Sequence, residues 1–172
     1  MSVPLFARLG AHDRAVLLRW VIAPTASRVA KARWTTLTHL GSGAVTITAA
    51  ALPWFACCEL HEASRAALLT LSISHIVVQL IKRAAARGRP SAEGRVAAAV
   101  CEPDRFSFPS GHAAASMAIA LAYGSVFPAL AIPLLLAALG VGFSRIRLGV
   151  HYPSDVIAGQ LIAAATVAAI TL

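Results

Sequence analysis

The stretch FPSGHAAASMA, residues 108–118, places a histidine at the point where an alanine-rich apolar segment begins. Proline, serine and glycine immediately precede His112, and they predict a turn followed by the start of a helix. The free N–H groups and the dipole at the start of a helix favour a bound anion. A titratable side chain at this position therefore indicates chemistry on an anionic group.

The composition around this stretch indicates an integral membrane protein. Of the 172 residues, 58% are hydrophobic and only 13% are charged, whereas soluble domains carry about 25% charged residues. The mean hydropathy is +0.74, and the length favours a single domain. The net charge is +8, but the basic residues alternate with long apolar segments instead of lining one soluble face. We therefore predict no nucleic-acid partner.

The hydrophobic pattern predicts an all-α, integral membrane helical bundle with five or six transmembrane helices. Its apolar segments are residues 35–58, 66–82, 111–127, 129–143 and 156–172. Several are near the lower end of the roughly 17–25 residues that span a bilayer. A soluble bundle with buried helices is the alternative, and the scarcity of charge disfavours it. We divide the chain into an amphipathic interfacial segment, residues 1–33, and a membrane-embedded domain, residues 34–172.

The order of these segments brings the polar stretches to one face of the membrane. The end of the second span, the start of the third, the connection between the last two and the N-terminal segment all lie there. Fourteen of the fifteen Lys and Arg residues are on this face, and only Arg65 is on the other. The positive-inside rule then predicts a multi-pass protein of the cell membrane whose polar face is cytoplasmic.

Three polar motifs meet on this face. They are KRAAARGRP (82–90), PSGH (109–112) and SRIRLGVHYPSD (144–155). The first and third motifs supply three cations, Lys82, Arg89 and Arg145, and arginine matches phosphate oxygens with two N–H groups at once. This set predicts a phosphate site.

The histidines of these motifs predict catalysis on that phosphate. Asp155 lies four residues after His151, so on a helix or tight turn its carboxylate can hold one imidazole nitrogen and leave the other free to attack. His112 is then available to protonate a leaving oxygen.

The motifs closely resemble those of the type 2 phosphatidic acid phosphatase and vanadium haloperoxidase superfamily, K-x6-RP, PSGH and SR-x5-H-x3-D, with every position filled. The resemblance implies that His151 is the nucleophile that forms a phosphohistidine, that Asp155 orients it, and that His112 is the general acid. It implies that the phosphate ligands are Lys82, Arg89, Ser110, Gly111 and Arg145. It also implies that neither a metal nor another cofactor is required.

A phosphate site at the membrane face predicts a lipid phosphate as the substrate. Candidates are polyprenyl phosphate or diphosphate, polyprenyl phosphoribose phosphate, phosphatidic acid and phosphatidylglycerophosphate. HIVVQLIKRAAARGRP and FSFPSGHAAAS are similar to actinobacterial enzymes assigned to decaprenylphosphoryl-5-phosphoribose dephosphorylation. The alternative function is a non-catalytic module of the same fold that binds lipid phosphate. The sequence does not indicate an oligomeric state.

Other polar residues allow two interpretations or none. Ser72, His75, Gln79 and Lys82 share one helical face. That face either lines the wall of the active-site cavity or forms interhelical hydrogen bonds, and we favour the second interpretation. His39, His61 and Arg147 lie outside the motifs and receive no catalytic role. We interpret Cys57, Cys58 and Cys101 as small apolar fillers, because their spacing fits neither a disulfide framework nor a metal site.

Overall fold

The computed structural model describes residues 3–56, 60–92, 94, 96–102 and 104–171, with side chains from residue 10 to residue 170. Its helices are α1 Val3–Trp20, α2 Arg28–His39, α3 Gly43–Ala51, α4 His61–Ala85, α5 Gly111–Val126, α6 Pro128–Arg147 and α7 Pro153–Thr171. A 3₁₀ turn, Leu52–Phe55, extends α3. The described residues contain no strand, only one isolated bridge between Gly88 and Phe106. The predicted all-α class is confirmed.

Helix α5 is at the centre of the bundle and packs against α4, α6 and α7. Its buried side chains are small, Ala113, Ala114, Ser116, Ala118, Ala120 and Ala122 among them. Small side chains let neighbouring helices approach closely in a membrane. The approach is tightest where Gly159 of α7 passes the start of α5, because a Cβ there would lie 2.4 Å from the Ser110 carbonyl oxygen.

Among the residues that the structure describes, three helices, α4, α6 and α7, are long and apolar enough to cross a membrane. Large apolar side chains cover the outside of the bundle, as lipid contact requires; they include Ile76, Leu80, Ile132, Leu136 and Leu161. The predicted segment 66–82 lies within α4, and the last three segments match α5, α6 and α7. The predicted membrane bundle is thus confirmed. Of the predicted spans, however, α5 has only 16 residues.

The first predicted span, residues 35–58, is wrong as a single helix. Helix α2 ends at His39, and Ser42 caps α3 by accepting a hydrogen bond from the Val45 N–H at 3.4 Å. Between them Gly41 packs so tightly that a Cβ would meet the His112 carbonyl oxygen at 2.8 Å. The predicted boundary between residues 33 and 34 falls inside α2, so the two-part division stays a prediction. Cys57 and Cys58 lie outside the described residues.

The N-terminal segment packs against the end of the bundle where the motifs lie, as the order of segments predicts. Leu17 of α1 is buried in a cluster with Tyr152 and Val156. After α1, the Ile22 N–H donates to the Arg147 carbonyl at 2.8 Å. Trp20, in contrast, remains exposed. Helix α1 thus has a buried side and an exposed side, which is the amphipathic character expected of it.

Candidate active site

The C-termini of α4 and α6 and the N-termini of α5 and α7 surround a cavity of about 560 Å³. Six of the eight predicted site residues line it, namely Lys82, Arg89, Gly111, His112, Arg145 and His151. The other two, Ser110 and Asp155, are completely buried and do not line the cavity. Residues that are up to 73 positions apart in the sequence, Lys82 and Asp155, therefore belong to one site.

The loop between α4 and α5 is held against the bundle by backbone hydrogen bonds. It begins at Ala86, whose left-handed conformation (φ 46°) ends α4. The Ser107 N–H donates to the Arg87 carbonyl at 2.9 Å, and the Ala99 N–H donates to the Leu148 carbonyl at 3.0 Å. The loop is thereby tied both to its own start and to the α6–α7 connection, which fixes the position of Arg89.

Arg145 has buried hydrogen-bond donors that the described residues do not use. Its side chain is 2% exposed, and its Nη1 donates to Thr38 Oγ1 at 2.8 Å. Its Nε and Nη2 have no hydrogen-bond partner among the described residues. An unpaired buried charge is costly unless something compensates it. Two donors of this guanidinium are therefore available to an anion in the cavity.

Lys82 and Arg89 are also buried, but the protein holds both of them in place. Lys82 Nζ donates to the Phe106 carbonyl at 3.0 Å. Arg89 donates from Nε to the Asp104 carbonyl at 2.6 Å and from Nη1 to the Val150 carbonyl at 3.0 Å. Because a carbonyl group is neutral, these acceptors fix the orientation of the two side chains without cancelling their positive charges in the cavity.

Asp104 is a member of the site that the sequence analysis missed. Its carboxylate accepts hydrogen bonds from Lys82 Nζ at 2.9 and 3.1 Å and from Arg89 Nη2 at 3.0 Å. Burial would raise the pKa of Asp104, but the hydrogen bonds and charges of Lys82 and Arg89 outweigh burial and lower it. Asp104 is thus anionic and occupies cations that a phosphate would use. No motif contains it, so its position four residues before the start of the FPSGH stretch was the only available signal.

His151 is buried between a carboxylate and the cations. Its Nδ1 lies 3.5 Å from Asp155 Oδ2, which is longer than a good hydrogen bond. Its Nε2 lies 3.4 Å from Arg89 Nη1. Burial and the neighbouring positive charges, first that of Arg145, lower the pKa of His151 well below its usual value. The imidazole is therefore neutral, which is the form that can act as a nucleophile.

Asp155 is fixed independently of the histidine. One oxygen accepts from the Tyr152 N–H at 2.8 Å, which places Asp155 in the role of a helix-capping side chain at the start of α7. The other accepts from Arg87 Nη1 at 2.7 Å. Asp155 therefore caps α7 in addition to lying beside His151.

Arg87 and Asp13 lie behind Asp155, away from the cavity, and the sequence analysis did not identify them. Arg87 Nη2 donates to Asp13 Oδ2 at 2.7 Å, and Asp13 also accepts from the Ser154 N–H at 3.0 Å and from the Ser154 hydroxyl. A chain of contacts thus runs from α1 through Arg87 to Asp155. A signal was available, because Asp13 is the only acidic residue in a segment, residues 1–33, that holds six Lys and Arg.

The PSGH motif forms the start of α5. Ser110 Oγ accepts from the Ala113 N–H at 3.5 Å, and the Ser110 N–H donates to the Asp155 carbonyl at 2.9 Å. Ser110 therefore faces the protein and ties α5 to α7, while Gly111 and His112 line the cavity. The half-buried His112 lies on the same cavity as His151.

The preferred interpretation of the polar face on α4 was wrong. Ser72, His75 and Gln79 line the cavity together with Lys82. In the described structure their one side-chain hydrogen bond joins Gln79 Nε2 to His75 Nε2 at 3.5 Å, within α4 itself.

Residues outside the motifs take other positions. His61 stacks on Trp54, and Arg147 lies over the Trp34 ring. Cys101 is exposed with a free thiol, so its interpretation as an apolar filler was wrong. The described residues contain no group of three or more His, Cys, Asp or Glu side chains that could hold a metal ion.

The arrangement matches a known family. The model of the PAP2 superfamily matches residues 63–172, more than half of the chain. The chain belongs to the PAP2 superfamily. Its motifs, on α4, on α5 and at the α6–α7 connection, all lie within the matched residues.

Individual relatives agree with this assignment. The chain is 43% identical over 98 residues to decaprenylphosphoryl-5-phosphoribose phosphatase of Mycobacterium tuberculosis, a match that covers 57% of this chain and 53% of that protein. The chain thus matches about half the length of this relative. Two solved structures share the fold at 24% identity. The transmembrane PAP2-type phosphatidylglycerolphosphate phosphatase of Bacillus subtilis has a TM-score of 0.73, covering 95% of this chain and 86% of its own. LpxE of Aquifex aeolicus has a TM-score of 0.78, covering 98% of each chain.

Proposed function

We propose that this chain is a lipid phosphatase that hydrolyses a phosphomonoester or diphosphate of a membrane lipid through a phosphohistidine, without a metal. The observation that carries the proposal is the buried Arg145, whose Nε and Nη2 have no partner among the described residues. This guanidinium and a neutral His151 line the same cavity. An anion-binding donor pair beside a nucleophile is what phosphoryl transfer requires.

The side chains of the site suffice for a two-step reaction. His151 Nε2 attacks phosphorus, the N–P bond forms, and the bond from phosphorus to the leaving oxygen breaks while protonated His112 gives that oxygen its proton. Water then attacks the phosphohistidine, His112 takes a proton from it, and the N–P bond breaks to release phosphate. Asp155 holds Nδ1–H, and the contact of 3.5 Å shortens as the ring becomes positive. The phosphate oxygens bind to Lys82, Arg89 and Arg145 and to the N–H group of Gly111, whereas the Ser110 N–H already donates to the Asp155 carbonyl.

The membrane setting supports a lipid as the substrate. The cavity lies at the ends of α4 and α6, two of the helices suited to crossing a membrane, so a phosphate at headgroup level can reach it. We include decaprenylphosphoryl-5-phosphoribose and phosphatidylglycerophosphate among the candidate substrates, because proteins similar to this chain carry those activities in their names. Phosphatidic acid and polyprenyl phosphate or diphosphate complete the set.

Phosphate release from these lipids by the detergent-solubilised protein, with EDTA present throughout, tests the proposal. His151→Ala should abolish release. His61→Ala is the control, because it also removes a histidine but lies at the end of α4 that is away from the cavity, and it should not abolish release. Acid-labile, base-stable radioactive phosphate should remain on the protein after a rapid quench with labelled substrate. Release that requires added metal would contradict metal independence. Binding of the lipids without any release would favour the alternative, a non-catalytic lipid-phosphate-binding module.

The role of His112 has its own test. His112→Ala should slow hydrolysis of an alkyl phosphate far more than that of p-nitrophenyl phosphate, because the nitrophenolate leaves without a proton. An equal loss on both substrates would contradict the general-acid role.

We further propose that the site faces the cytoplasm across the cell membrane, on the strength of the charge bias of the sequence. Cys101 provides the test, since its thiol is exposed on the loop at the site face. In a variant with serine at positions 57 and 58, a membrane-impermeant maleimide should label Cys101 only after the cells are permeabilised. Labelling of intact cells would place the site on the outer face.

A further inference from the structure

The cavity continues beyond the phosphate site along a polar wall on α4. Gln79, His75 and Ser72 follow Lys82 at intervals of three, four and three residues, and all four side chains line the cavity. At a rise of 1.5 Å per residue, Gln79 is about 4.5 Å, His75 about 10 Å and Ser72 about 15 Å along the helix from Lys82. The wall therefore runs from the phosphate site toward the middle of the helix.

These polar groups are not used by the protein itself. Within the described structure, the one hydrogen bond of His75 and Gln79 to a side chain joins them to each other at 3.5 Å, and Ser72 has none. Helix α4 is one of the candidate membrane spans. Ionisable and amide side chains inside a span are costly and generally mark a path for substrate or ions. Their hydrogen-bonding capacity is available to whatever enters the cavity.

Beyond the polar side chains the lining of the cavity is apolar. Leu68 and Leu71 of α4, close to Ser72 in sequence, line this part together with Ile47 of α3. Ile47 is 57% exposed, so the cavity opens to the outside of the bundle at α3. The order along the cavity is thus a cationic end, a polar middle and an apolar opening.

We infer that His75 and Gln79 bind an oxygen-rich spacer, a sugar or polyol phosphodiester, that separates the scissile phosphate from the apolar chain of the substrate. A phosphate attached directly to an alkyl or prenyl chain would place apolar carbon against these two side chains and leave their donors and acceptors unpaired. Such mismatches discriminate strongly between substrates, because polar side chains that line the cavity on a membrane span lose their partners. The inference rests on the proposed phosphatase function and narrows its substrate class.

A set of three substrates with the same C12 chain tests the inference. They are dodecyl phosphate, which has no spacer, dodecyl glucoside 6-phosphate, which has a sugar spacer, and dodecyl phosphoglycerol phosphate, which has a polyol phosphodiester spacer. Their kcat/KM values are measured for the wild type, His75→Leu and Gln79→Leu. Leucine suits a membrane helix, so the variants should fold. His61→Leu, the same change on α4 outside the cavity, is the matched control.

The wild type should hydrolyse at least one spacer substrate about ten times better than dodecyl phosphate. His75→Leu and Gln79→Leu should each lower kcat/KM for that substrate by about fivefold to tenfold, the effect of one lost hydrogen bond. They should raise kcat/KM for dodecyl phosphate, because leucine removes the mismatch with its alkyl chain. Which spacer is preferred distinguishes sugar from phosphodiester. If the wild type and both variants hydrolyse the spacer substrates no better than dodecyl phosphate, the inference is overturned. The proposed phosphatase function would still stand. No release from any substrate would overturn both.

Discussion

Replacing Asp104 with asparagine should strengthen inhibition by inorganic phosphate or vanadate. The Asp104 carboxylate contacts Lys82 Nζ at 2.9 Å and Arg89 Nη2 at 3.0 Å, so a bound phosphate must share or displace it. The variant removes the competing charge but not the supports of the two cations. Lys82 still donates to the Phe106 carbonyl, and Arg89 still donates to the Val150 carbonyl.

The size of the effect follows from the geometry. Two anions that contact the same cations lie about 5 Å apart, and unit charges at that distance repel by about 3 kcal/mol at an effective dielectric constant of 20. The side chain of Asp104 is 37% exposed, so solvent screening reduces the repulsion to roughly 1–2 kcal/mol. The inhibition constant should therefore fall by roughly 5-fold to 30-fold.

The assay is inhibition of p-nitrophenyl phosphate hydrolysis by phosphate and by vanadate. Glu102→Gln is the matched control, since Glu102 lies in the same loop but accepts from Ser91 and does not line the cavity. Because Lys82 and Arg89 lower the pKa of Asp104, the effect of the variant should persist from pH 8 down to the usual aspartate range. It should disappear only as the carboxylate protonates. Weaker inhibition in Asp104→Asn would refute the reasoning and make Asp104 a support of the cations.

Three further predictions test the surroundings of the site. Asp13→Asn breaks the Asp13–Arg87 ion pair, one of two buried ion pairs behind the site. The free energy of unfolding in detergent should therefore fall by an amount at the lower end of about 3–5 kcal/mol. An unchanged thermal unfolding midpoint would mean that α1 is not docked there. Gly159→Ala should lower both stability, by about 1–3 kcal/mol, and turnover, because its Cβ would lie 2.4 Å from the Ser110 carbonyl oxygen. Gly140→Ala, whose Cβ would make an ordinary contact with Leu37 at 3.4 Å, should lower neither. The lowered pKa of His151 means that the unfolded chain takes up a proton below about pH 6.5 that the folded chain refuses. The thermal unfolding midpoint should therefore decrease as the pH is lowered from 7 to 5, and this decrease should be smaller in His151→Gln. An equal decrease in the two proteins would contradict a neutral buried imidazole.

The sequence predicted the helices and the central residues of the site, because each depends on a local pattern. Apolar runs gave α4 to α7 to within a few residues. The spacings within the three motifs predicted that five residues share one site. All five line one cavity, namely Lys82, Arg89, Arg145, His112 and His151. The first predicted span failed for the same reason, because a run of apolar residues does not reveal that Gly41 must turn against α5.

What the sequence could not supply are contacts between residues without a shared pattern. Thr38 accepts from Arg145 across 107 positions, and Asp13 meets Arg87 across 74. Neither pair has a spacing rule. The polar face of α4 is a different case, because its helical spacing is visible in the sequence. Whether that face packs against another helix or lines the cavity depends on where α3 lies, and the sequence does not show this.

These contacts change what counts as the catalytic unit. The family model begins at residue 63, yet Asp155 is held by Arg87, and Arg87 is held in turn by Asp13 of α1. The side chains of all three are at most 10% exposed, so water solvates their charges poorly. Each charge is stabilised mainly by the opposite charges beside it. Loss of α1 from the bundle would leave Arg87 with Asp155 as its remaining carboxylate and would draw that carboxylate toward the guanidinium. Asp155 Oδ2 is already 3.5 Å from His151 Nδ1, so any further movement would cost the imidazole its orientation. The amphipathic N-terminal helix is therefore expected to be a structural condition for the orientation of His151, the proposed nucleophile.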